Sequence, residues 1–257
     1  MDCPKCGFAQ ADDRADCARC GVVFARLQEL EAGAGFRRLP LSGKAGSSSG
    51  SAASASDDRS WRERLGDLLR GDEGPVDRTA FWARTALWAF LALWGARFLL
   101  SSVRDNYVSR TFLHLVNLPF HEAGHVIFSP FGEFLHVLGG TLGQLLIPAI
   151  CLATFLLRNR DPFAASVCLF WLAENFMDIA PYIADASVGQ LPLLGGVTGR
   201  DVPGYHDWEN ILDTLNLMRH DLLLGNLSYA LGRVLMLAAL GWGGWLLLLQ
   251  KGRMEEV

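Results

Sequence analysis

After residue 78 the chain passes through one apolar stretch after another, and their length is its strongest constraint. A helix needs about 20 mostly apolar residues to cross a bilayer. Four or five stretches qualify here: 80–103, 108–128, 139–157, 163–184 and 222–249. Arg84 and Arg97 interrupt the first, Arg233 lies inside the last, and Arg158-Asn159-Arg160-Asp161-Pro162 ends the third. Residues 185–221 are mixed, with Pro192, Gly195, Gly196 and Pro203, and read as a loop followed by an amphipathic helix near 207–219. The expected fold is mainly α, a polytopic helical membrane protein of four to six spans with a small N-terminal zinc ribbon.

The hydrophobic residues, 51 % of the 257, are unevenly placed. Residues 1–24 form a cysteine module, 25–78 a flexible linker with an amphipathic helix, and 79–249 the membrane domain. Residues 25–32 have the composition of a short helix, and the Gly, Ala and Ser of 33–60 read as flexible chain. In 61–70, Trp61, Leu65, Leu68 and Leu69 share one helical face, which suits either a membrane surface or a short soluble helix. The start MDCPKC has no basic segment leading into an apolar one. No cleavable signal is therefore expected, and insertion would use the first internal apolar stretch.

Cys3-Pro-Lys-Cys6-Gly and Cys17-Ala-Arg-Cys20-Gly are two CxxC knuckles. Each glycine permits the tight turn that aims backbone amides at sulfur. Four thiolates make a closed structural zinc site, and zinc then stabilises a module too small to fold by burial alone. Thiolates imply a reducing compartment. A multi-pass inner (plasma) membrane protein with its ribbon facing the cytoplasm follows, although the arginines flanking the spans point both ways. The ribbon suits contact with a protein partner. At a net charge of −4, with acids and bases interspersed before position 79, there is no basic stripe for nucleic acid. Cys151 and Cys168 lie in apolar runs and read as inert packing residues.

The chemistry concentrates in His121-Glu122-Ala123-Gly124-His125. Four-residue spacing on a helix puts both imidazoles on one face, one turn apart, as two ligands of one zinc require. Glu122, beside the first ligand, is placed to take a proton from the attacking water and pass it to the leaving amine. Three ionisable side chains in an apolar run are costly at membrane depth and face a cavity in most cases. Pro119 sets a break before the ligands: either Asn117 caps a new helix or one helix kinks.

A catalytic zinc takes a third protein ligand. Counting crossings, the end of the 163–184 span returns to the depth of the HEAGH segment. Asp185 and Asp178 are the candidates there, and Asn175 could hydrogen-bond a substrate backbone. His206 and His114 are further candidates for the metal, and Asp207 reads as the cap of the helix that begins there.

These residues resemble the site-2 protease-like family of intramembrane zinc metalloproteases, which pairs its HExxH with an Asn- and Pro-containing segment ending in Leu-Asp-Gly. Here the matching stretch is Asn175, Pro181 and Ala184-Asp185-Ala186. The resemblance covers about 120–187 and departs from the family at Ala184 and Ala186. It implies His121, His125 and Asp185 as ligands, Glu122 as the catalytic residue, and Phe134-Leu135-His136-Val137-Leu138 as an edge that pairs with unfolded substrate. Gly139 and Gly143 have the spacing of close helix packing. The expected function is zinc-dependent hydrolysis of peptide bonds in membrane-associated proteins. The alternatives are a non-proteolytic membrane zinc protein acting as scaffold or sensor, and a zinc hydrolase acting on a lipid or a prenylated end.

Overall fold

The computed structural model describes residues 60–71 and 74–254, together with Ala9 and Phe24. The ribbon cysteines Cys3, Cys6, Cys17 and Cys20, the 25–32 helix and the 33–60 linker, Ser60 apart, lie outside them. The chain divides into units 1–56 and 57–257, and all that follows concerns the second.

That unit is helical, with no strands among the described residues. Its helices are α1 (Trp61–Arg70), α2 (Arg78–Leu100), α3 (Phe112–Phe128), α4 (Glu133–Ala153), α5 (Pro162–Asp185), α6 (Asp207–Thr214) and α7 (Asp221–Lys251). Four helical segments are long and apolar enough to cross a membrane: Arg78–Leu100, Glu133–Arg158, Pro162–Asp185 and Met218–Lys251. The second of these is α4 continued by a π-helical turn, Thr154–Arg158. The 108–128 stretch yields only the 17 residues of α3, short of a full crossing. Pro119 lies inside α3, which continues through it, so Asn117 caps no new helix.

Caps account for the helix starts. The Ser60 side chain accepts from Glu63 N while Glu63 accepts from Ser60 N, a capping box on α1. Asp77 caps α2, and Asp161 caps α5 with Pro162 in its first turn. Trp61 and Leu65 of α1 stay exposed, and Trp242 of α7 donates to Leu69 O at 3.0 Å.

α5 is the central helix and packs most extensively on α7. Phe98, Val108, Phe170, Met177 and Met236 form the main core, and Phe81, Phe163, Leu246 and Leu247 a second one. Leu93, Leu100 and Leu248 point outward. Three arginines inside the spans are engaged: Arg84 pairs with Asp161 at 3.2 Å, Arg97 lies over the Tyr107 ring, and Arg233 donates to Ser101 O. Cys151 and Cys168 are unbonded, and Cys168 is buried.

Candidate metal centre

The HEAGH segment occupies the last turns of α3, and α4 packs against it. A Cβ on Gly124 would stand 2.0 Å from Gly139 O, and one on Gly143 2.3 Å from Phe120 O. These glycines let the two backbones touch, the role that the Gly139–Gly143 spacing predicts. Gly140 differs, because a Cβ there would stand 2.5 Å from Nε2 of both His121 and His125. Its missing side chain keeps open the space that both nitrogens face. The 134–138 segment, expected to offer an edge to substrate, is instead helical, because α4 begins at Glu133.

Hydrogen bonds behind the rings decide what those nitrogens present. His125 Nδ1 lies 2.8 Å from His136 O. A carbonyl only accepts, so Nδ1 carries a proton and Nε2 is the nitrogen turned toward the gap, where it can ligate a metal once it is deprotonated. His121 Nδ1 donates likewise to Gln144 Oε1 at 2.8 Å. Such partners orient a metal-ligating imidazole and set its tautomer. His136 Nδ1 donates back to His125 O at 2.9 Å, a reciprocal tie between α3 and the first turn of α4.

Asp207 completes the group. Its Oδ2 is 3.0 Å from His121 Nε2 and 3.3 Å from His125 Nε2. With Nδ1 of each ring bonded behind it, both Nε2 atoms converge on the Asp207 carboxylate, a grouping that could hold a metal ion in place of the protons that otherwise join them. Zinc bonds of about 2.0–2.1 Å at tetrahedral angles set neighbouring ligand atoms about 3.3 Å apart, close to these separations. All three residues are partly buried, with their ligand atoms within 4.8 Å of one another. Burial pushes the Asp207 carboxyl up, but its hydrogen bonds to the two histidines outweigh that and hold it down at about 2.

The third position therefore differs from the sequence expectation. Asp185 lies at the end of α5, where Oδ1 accepts from Gln190 N at 3.1 Å and Oδ2 from Leu191 N at 2.8 Å. It organises the start of the 186–206 loop and is not grouped with His121 and His125. Asp178 accepts from His114 Nδ1 at 2.9 Å and from Asn117 Nδ2 at 3.0 Å. His206, not Asp207, caps α6, its Nδ1 accepting from Glu209 N, while its Nε2 faces Asp185 at 3.8 Å. That frees the Asp207 carboxylate to reach across to α3. The expected substrate contact, Asn175, is fully buried and donates to Asn117 Oδ1 at 3.1 Å and to Trp171 O at 3.0 Å. It cannot meet a substrate backbone without leaving that network.

The three residues border a cavity of about 1020 Å³, whose wall also includes Glu122, His114, Thr141, Gln144, Tyr182 and Trp208. Glu122 is exposed and takes no part in the metal group. The set combines a candidate metal position, a free carboxylate beside it and room for a peptide-sized ligand. Comparison with known proteins finds no matching family model, no matching curated protein and no matching solved structure.

Proposed function

We propose that this chain is a membrane-embedded zinc metalloprotease acting on membrane-associated protein segments, with His121, His125 and Asp207 as ligands and Glu122 as general base. One observation carries the reading: Nε2 of His121 and of His125 converge on the Asp207 carboxylate at 3.0 and 3.3 Å, in the space that Gly140 leaves open beside the cavity. Zinc at such a position supplies Lewis acidity toward a substrate carbonyl and toward water.

The chain's own residues do the rest. Gln144 and the His136 carbonyl hold the two imidazoles in the ligating tautomer. Glu122, on the cavity wall, takes the proton of the attacking water and hands it to the leaving nitrogen. The apolar and aromatic part of the wall, with Phe134, Val137, Ile179 and Trp208, receives an apolar segment. The reading keeps the resemblance to site-2 protease-like enzymes but moves the third ligand from Asp185 to Asp207. It also retains a second, structural zinc in the ribbon, a multi-pass inner-membrane location with that ribbon toward the cytoplasm, and a protein partner held there.

The test compares wild type with Glu122→Gln, both purified in detergent, for metal content and for cleavage of a synthetic peptide library read by mass spectrometry. Cleavage by wild type is expected to fall at least about 100-fold in the variant, with metal retained. Equal cleavage by both proteins would sink the mechanism. Retained metal with no cleavage by either would favour the scaffold or sensor reading.

A further inference from the structure

We infer that Thr141 Oγ1 and Gln144 Nε2 form a donor pair for the carbonyl oxygen of the bound substrate. The inference rests on the proteolytic reading above. Both residues lie on the face of α4 that borders the cavity, flanking Gly140, whose missing side chain opens the space before the two Nε2 atoms. Thr141 is 4 % exposed and Gln144 5 %.

Neither donor has a hydrogen-bond partner. A threonine inside a helix ordinarily donates to the carbonyl four residues back, and Thr141 does not. Gln144 uses Oε1 for His121, which leaves its amide nitrogen free. Buried donors without partners are rare and call for an explanation. The other unpaired buried donors among the described residues each have one at hand. His206 Nε2 faces the Asp185 carboxylate at 3.8 Å, and Arg233 Nε lies away from the cavity on a guanidinium that bonds Ser101 O. Thr141 and Gln144 are the pair left over, and they stand beside the reaction space.

Their chemical role follows from peptide hydrolysis. As the water oxygen bonds to the carbonyl carbon, Glu122 takes the water's proton and the carbonyl π pair moves onto oxygen. Thr141 and Gln144 donate to that oxygen as its charge grows, which is where fixed donors accelerate acyl transfer most. When the C–N bond breaks, its electron pair stays on nitrogen, which takes the proton from Glu122. One water and one peptide bond become one carboxylic acid and one amine.

The variants are Thr141→Val, which removes only the hydroxyl, and Gln144→Glu, which keeps an oxygen for His121 Nδ1 and removes the donor. Three quantities are measured on the full chain in detergent: metal per chain, kcat and KM on a cleaved library peptide, and affinity for a phosphinate peptide, whose tetrahedral anion mimics the charged oxygen. We expect unchanged metal, kcat lowered about 100-fold in each variant, little change in KM, and weaker phosphinate binding. Variants that keep full kcat beside an active wild type overturn the inference and leave the protease reading standing. An inactive wild type that binds phosphinate through Thr141 and Gln144 overturns the protease reading and keeps the donor pair. A metal-loaded wild type that neither cleaves nor binds phosphinate overturns both.

Discussion

In its first half α3 sets His114 and Asn117 against α5; further along the same face it sets His121 and His125 against α4 and α6. The first cluster is sealed around Asn117, Glu174 and Asn175, with His114 and Asp178 at the cavity wall. Asn117, Glu174 and Asn175 are at most 1 % exposed and Asp178 3 %. Trp171 Nε1, which can only donate, gives its hydrogen to Asn117 Oδ1 at 2.9 Å and so turns the amide nitrogen toward the acids. That nitrogen donates to Glu174 Oε2 at 2.9 Å and to Asp178 Oδ2 at 3.0 Å. The second cluster is half-open to the cavity and is arranged differently, because each ring is held from behind at Nδ1 and both Nε2 atoms converge on Asp207. Two clusters drawn from similar residue types thus do different jobs. In the first an amide supplies the hydrogens to the acids, and in the second two imidazoles converge on one carboxylate, which makes it the candidate metal position.

The contrast can be broken most sharply at Gly140. Gly140→Ala alters no ligand, yet places a carbon where a metal would sit, so we expect the metal of this centre to be lost outright, read as metal per chain. Asp207→Ala should remove the same metal, while Asp185→Ala should leave it bound. The reverse result would restore the ligand set implied by the family resemblance. Gln144→Ala should weaken metal affinity by about 10–100-fold, the usual cost of removing a partner that orients a ligand, read by competition with a chelator. Asn117→Leu tests the sealed cluster. It should leave metal content alone but destabilise the fold by about 2–3 kcal/mol, because Glu174 and Asp178 lose their donor, read as a lower unfolding midpoint. Acidification sharpens the comparison from the other side. Protons compete with a metal for the ligating nitrogens, so metal per chain should fall as the pH is lowered.

The long helices and the pairing of His121 with His125 were legible in the sequence for simple reasons. Apolar length reports a span directly, and a four-residue spacing becomes proximity as soon as a helix forms. Asp207 lies 82 positions from His125 and is reached through a glycine- and proline-containing loop with no periodicity to read. Counting crossings judged the depth of Asp185 from the span it ends, but depth says nothing of where a carboxylate turns. The amides of Gln190 and Leu191, at the start of the loop, decide that. The signal for Asp207 was its place after His206: a residue that caps through its own side chain leaves the next carboxylate unspent. α3 is shorter than the 108–128 stretch because Ser109, Arg110 and Thr111 interrupt its apolar start and the backbone there forms a separate 3₁₀ turn over Val108–Arg110.

The contact of Gly124 with Gly139 and Gly143 has a mechanical consequence. Where two helices meet backbone to backbone, no flexible side chain lies between them to absorb a small slide. Their ridges then allow adjustment only by whole register steps, of which a full turn is about 5.4 Å. Such a step would carry Gly140 away from the two imidazoles altogether. The same contact therefore sets where Gly140 stands before the imidazoles, so a side chain added at Gly124 or Gly143 would disturb the site by displacing α4 without touching either histidine.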